Sequence, residues 1–138
     1  MNQLDILQRY RWSVRERKAL LTQLERLDAW EPRGSQGSWQ LHRAREERRE
    51  TCRKALTDRE ERLAEDAERF EAILAGVAHP RTRLVLRQYY ALGMTDEEIA
   101  EADGFSARRA GSIRNGWLRQ QGIEPRRRVR GGGGEGGR

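Results

Sequence analysis

Apolar residues recur at helical spacing along most of the chain, with charged residues between them. Leu4, Leu7, Tyr10, Val14, Leu21, Leu24 and Leu27 stand three, four or seven positions apart, which predicts an amphipathic helix over residues 2–29. Arg17 and Lys18 fill the gap between Val14 and Leu21, where their aliphatic stems can lie along the seam. The run Glu31-Pro32-Arg33-Gly34-Ser35-Gln36-Gly37-Ser38 joins a proline and two glycines to polar neighbours and predicts a loop over 31–38. Helical spacing resumes over 39–78, where Leu56, Leu63, Phe70 and Val77 recur every seven residues with Cys52, Ala67 and Leu74 beside them. That is a coiled-coil-like seam, on a helix of roughly 55–60 Å. Neither helix buries its stripe without the other arm or a second chain. The short loop therefore predicts that residues 1–79 form an antiparallel helical hairpin, a coiled-coil-like oligomerisation region.

Ala78-His79-Pro80 breaks the pattern, because proline disfavours helix before it and suits the first turn after it. A helix is expected from Pro80 to Ala91, ended by Leu92-Gly93. Thr95-Asp96-Glu97-Glu98 has the spacing of a capping box and opens a short helix around Ile99 and Ala100. Asp103-Gly104-Phe105 is the turn, and Gly104 can take the positive φ that a tight turn needs. Ser106 caps a last helix over 107–121, with Ala110, Ile113, Trp117 and Leu118 inward and Gly122 as its stop. Gly111 and Gly116 inside that helix are read as positions of close approach, to another helix or to a DNA backbone. Residues 123–138, with Pro125-Arg126-Arg127-Arg128-Val129-Arg130 and GGGGEGGR, cannot bury a core and are expected to be a disordered Arg/Gly-rich tail.

Charge sharpens this division. The chain carries +6 over 138 residues, but residues 1–79 hold 16 Lys/Arg against 15 Asp/Glu, whereas residues 106–138 hold nine against two. The excess sits in the last quarter, which points to a polyanion such as nucleic acid. Other classes fall away. Cys52 is the only cysteine, so no internal disulfide or multi-cysteine metal site is available. No apolar run approaches the roughly 18 residues of a membrane span, and the start has no signal-peptide pattern, so a cytoplasmic protein with no membrane partner is expected. His42 and His79 lie far apart, and no phosphate-binding glycine loop, HExxH or GxSxG is present. The chain is therefore expected to be no enzyme and to need no cofactor or metal. Glu46, Glu47 and Glu50 read as a solvated face.

The two short helices and their glycine turn make residues 80–122 a helix-turn-helix module, in which the second helix lies in the major groove of duplex DNA. Ala107, Arg108, Gly111, Ser112, Arg114 and Asn115 are expected outward or flanking on that helix. Arg108 suits a paired contact to guanine and Asn115 one to adenine. Arg87, Arg109, Arg119 and the tail residues Arg126, Arg127 and Arg128 are expected to neutralise phosphate.

The run Arg83-Leu84-Val85-Leu86-Arg87-Gln88-Tyr89-Tyr90-Ala91-Leu92-Gly93-Met94-Thr95-Asp96-Glu97-Glu98-Ile99-Ala100-Glu101 is similar to region 4 of bacterial sigma factors. Glu98-Ile99-Ala100 and Gly104-Phe105-Ser106 match its pattern, and Gln88-Tyr89-Tyr90 and Thr95 come near it. Gly111 and Gly116 depart from it, as does Ala107, which replaces a polar residue. The long arm followed by this module resembles the phage-encoded late-transcription regulators of the ArpU type. The resemblance implies an all-α transcription regulator from a phage or prophage that binds a promoter or operator. A chain of this length has no room for a promoter-melting domain, so activation would require RNA polymerase with its own sigma factor, or a partial-sigma role. A homodimer built on the hairpin would predict a palindromic site. Two rival readings are a phage small terminase subunit, assembled as a ring on a packaging site, and a helical adaptor whose basic end binds RNA polymerase.

Overall fold

The computed structural model describes residues 2–30 and 38–125, and all regular structure among them is helical. Helix α1 spans Gln3–Ala29 and α2 spans Ser38–Leu74. Helix α3 covers Pro80–Leu86 and continues without a break into a π-helical turn over Arg87–Ala91. Helices α4 (Asp96–Asp103) and α5 (Ala107–Gln120) are the last elements among the described residues. No helix among the described residues is long and apolar enough to cross a membrane. The tail arginines Arg126, Arg127 and Arg128 lie outside the described residues, as does most of the 31–38 loop.

Local chemistry sets the helix ends. The Asn2 side chain accepts from the Asp5 amide at 2.8 Å and so starts α1. Pro80 occupies the first turn of α3, where its missing N–H costs nothing. The last turn of the α3 helix widens, so that the Leu92 amide donates to the Arg87 carbonyl and the Met94 amide to the Gln88 carbonyl. Gly93, buried at φ +69°, then reverses the chain toward α4.

Helices α1 and α2 run antiparallel, as their cross-pairs show. Arg9 meets Asp66 at 2.8 Å, Arg17 meets Glu60 at 3.1 Å, and Asp28 meets Arg49 at 2.8 Å. Glu16 and Arg59 also pair, and the Cys52 thiol donates to the Leu20 carbonyl. The seam is less apolar than the heptads imply. Asp66 is only 1% exposed, held by Arg9 and more loosely by Arg69 at 3.4 Å, and Ser13 is buried beside the apolar stripe. Leu21, expected inside, is 40% exposed. Lys18 does not lie along the seam either; it reaches the Leu92 carbonyl on the other side of α1.

The main core forms where the base of this arm meets the later helices. Leu4, Leu7 and Tyr10 of α1 pack with Phe70, Leu74 and Val77, with Leu86 and Tyr90, and with Trp117 and Leu118 of α5. Tyr10 and Phe70 stand 5.1 Å apart by ring centre, and Tyr90 closes the group 6.4 Å from Phe70. Residues 1–79 and 80–122 thus share one core. A second, smaller cluster of Val85, Ile99 and Ala110 ties α3 to α4 and α5.

Two measurements probe this base. A Cβ at Gly93 would lie 3.1 Å from Arg15 Cγ and 3.3 Å from Val14 Cγ1, besides the cost of its positive φ. Gly93→Ala should therefore lose about 1–3 kcal/mol in denaturant unfolding. Burial pushes the Tyr90 phenol up to about 12 from an ordinary 10.0. A raised folded value means the stability it gives is full below pH 10 and lost as pH climbs from 10 to 12. Tyr90→Phe should flatten the loss of stability across that window, read from denaturation midpoints at stepped pH.

Candidate nucleic-acid interface

The α4–α5 pair is built from short-range signals. Thr95 Oγ1 accepts from the Glu98 amide at 3.2 Å, and Glu98 Oε1 accepts from the Thr95 amide at 2.8 Å. That amide holds the Glu98 carboxyl below its ordinary range. Gly104 takes φ +79° and closes α4. Ser106 Oγ accepts from the Arg109 amide at 3.1 Å and opens α5. Ala110, Trp117 and Leu118 are buried and Ile113 is partly so, which fixes the face that α5 turns outward.

On that face Arg108, Gly111, Ser112, Asn115 and Arg119 follow one another at helical spacing. Arg108, Arg109, Ser112 and Arg119 are exposed, while Ala107, Gly111 and Asn115 are half-buried. Ala107, Arg108, Gly111, Ser112, Asn115 and Arg119 line a shallow groove whose other wall is Asp96 and Glu97 of α4. A Cβ on Gly111 would just touch the Asp96 carboxylate at 3.4 Å, so this glycine does sit against a neighbouring helix. Gly116 does not: no described residue stands within 4 Å of where its Cβ would be, so the close approach expected there is not made among the described residues.

Two expected contact residues are paired with carboxylates of the protein itself. Arg114 pairs with Asp96 at 2.5 Å, with the two side chains only 12% and 16% exposed. Its guanidinium lies 3.7 Å from the centre of the Tyr89 ring. Arg11 of α1 lies 4.0 Å from the same ring centre, and two guanidinium groups that close must occupy opposite faces. Tyr89 is therefore clamped between α1 and α5. Arg87 pairs with Glu71 at 2.8 and 3.2 Å on a half-exposed flank, and this contact lowers the Glu71 carboxyl below its ordinary value. Both arginines are placed by carboxylates within the chain.

A row of cations on α1 forms this site's support: the spacing gives no role to Arg11 and Arg15 and expects Lys18 along the seam. Arg11 donates to the carbonyls of Tyr89 (3.0 Å) and Met94 (3.1 Å), Arg15 to that of Gly93 (3.0 Å), and Lys18 to that of Leu92. These carbonyls end the α3 helix or follow it directly. Burial pulls Arg11 below its ordinary value, with the charges of Arg15 and Arg114 adding to the effect. The signal was visible as spacings of four and three at positions 11, 15 and 18, but a basic helix face reads equally well as solvated. Among the described residues no cluster of three or more His, Cys, Asp and Glu could hold a metal ion.

The Arg114–Asp96 pair lends itself to a mutant cycle. Asp96→Ala strands a mostly buried guanidinium and should cost about 3 kcal/mol. The double change Asp96→Ala with Arg114→Met should recover more than half of that in chemical unfolding. Comparison with known protein families, with characterised proteins and with solved structures gives no match.

Proposed function

We propose that this chain is a sequence-specific duplex-DNA-binding regulator of transcription, in which α4, the turn at Gly104–Ser106 and α5 act as a helix-turn-helix. The observation that carries the reading is the outward stripe of α5. It combines exposed cations (Arg108, Arg119) with small residues (Ala107, Gly111, Ser112) that let a groove floor come close, and the arm leaves Arg108 and Ser112 open. Arg108 has the reach and fork geometry for guanine, and Asn115 the donor and acceptor for adenine. Arg109 and Arg119 flank the stripe and suit phosphate. Arg114 becomes a positioning residue that holds α5 against α4. Arg87 would have to exchange Glu71 for a phosphate to contribute. The likeness to sigma factor region 4 and to phage late-transcription regulators supports the same reading, with promoter or operator DNA as the target and RNA polymerase as a second partner.

Selection of bound duplexes from a random pool tests this. The native chain should enrich one motif, with affinity that falls steeply with salt. Arg108→Ala should keep the fold, lose about 1–3 kcal/mol and relax the preference at one base pair. Arg119→Ala should weaken all sequences alike. Enrichment of no motif, or an unchanged motif and affinity for Arg108→Ala, would overturn the reading.

A further inference from the structure

The distal half of the arm is unfinished as a packing unit. From Val14 to Trp30 and from Trp39 to Thr51 no described side chain is buried, although Leu20, Leu21, Leu24, Leu27, Trp30, Trp39 and Leu41 lie there. Trp30 is 40% exposed, Leu41 49% and Trp39 62%. The cause is geometric: at the base, α3 and α5 supply a third layer over α1 and α2, whereas two helices alone bury only their line of contact. Near the end of the arm Leu27, Trp30, Leu41 and Ala44 line an open groove of about 460 Å³. These four apolar side chains share one concave surface away from the main core, the shape a docked side chain needs.

We infer that this groove docks an acidic amphipathic helix of a partner protein. The argument is charge complementarity. The apolar strip is flanked by Arg26, Arg45 and Arg48, and no Asp or Glu among the described residues lines it. Arg45 spans the gap, donating to the Trp30 carbonyl at 2.8 Å, and its buried Nε has no partner. Carboxylates along the flank of an incoming helix would face a groove lined by three guanidinium groups and no acid among the described residues. A second copy in a two-fold contact would set these cations against their own counterparts, which makes it the poorer occupant. The stretch from Gln23 to Trp30 is two helical turns, enough to seat apolar anchors at i, i+3 or i+4, and i+7 of an incoming helix. This surface is independent of the duplex-binding face.

The test uses the full chain and a displayed library of 20-residue helical peptides, with leucine fixed at the anchor positions and the flanking positions drawn from Asp, Glu, Lys, Arg and Ser. Selected binders should be rich in Asp and Glu at the flanks. Trp30→Ser should weaken them by about tenfold or more, and the pair Arg26→Glu with Arg48→Glu should switch the selected flanks to Lys and Arg. Circular dichroism confirms that each variant keeps its helix content. Three outcomes overturn the proposal: no peptide enriched over the Trp30→Ser chain, binders without charge bias, or a stable dimer of the native chain that Leu27→Asp dissociates.

Discussion

The carbonyl end of the α3 helix, after its π-helical turn, leaves groups that no amide of that helix can reach. Such an end carries partial negative charge and needs donors. Here the donors come from another element: Arg11, Arg15 and Lys18 stand on one face of α1 and reach the carbonyls of residues 89, 92, 93 and 94. Residues 92–95 are also the link into α4, so the position of α4 is set from α1. The Arg11–Tyr89–Arg114 stack and the Arg114–Asp96 pair extend that constraint to α5. The base of the arm is therefore tied to α4 and α5 by direct contacts, and Gly93 lets α1 come close enough for them to form.

Polar pairing does a second job along the arm. An apolar seam alone tolerates sliding by a turn or a heptad, because one leucine replaces another. Asp66 does not tolerate it. Buried at 1% exposure, it depends on Arg9 across the interface. Displacement by a turn would take Asp66 away from Arg9 and leave it only the looser contact with Arg69 on its own helix. Arg17–Glu60, Glu16–Arg59 and Arg49–Asp28 agree with the same register, although each is partly solvated and individually weak. The regular spacing of the core apolar residues thus defines which faces meet, and the buried carboxylate defines where.

Much of this was legible because it is local. Capping at Thr95–Glu98, the turn at Gly104, the cap at Ser106 and the inward residues of α5 each follow from a few neighbouring side chains, and Pro80 marks the start of α3, whereas α2 ends at Leu74, four residues short of the limit its spacing predicts. What sequence could not supply was the fate of long side chains. Lys18 could snorkel along a seam or reach a distant carbonyl, and Arg114 could point to a ligand or to Asp96. Both choices depend on residues 74 and 18 positions away, brought near only by the tertiary fold. Leu21 is exposed for a related reason: helical spacing identifies a stripe but not whether a third layer exists to cover it.

The acidic start of α4 constrains how a duplex could lie on this surface. Asp96, Glu97 and Glu98 suit a helix N-terminus, whose partial charge is positive, but they repel phosphate. Two of the three are internally engaged: Arg114 neutralises Asp96, and Glu98 is held in the capping box by the Thr95 amide. Glu97 is left exposed on the wall of the groove beside Arg108 and Asn115. A DNA backbone approaching from that wall would meet a carboxylate, whereas Arg108, Arg109 and Arg119 offer cations along α5 itself. Under the duplex-binding reading, the phosphates must therefore track the α5 cations and keep away from the first turn of α4. The same carboxylates that start α4 correctly would then also restrict the orientation in which α5 enters the groove.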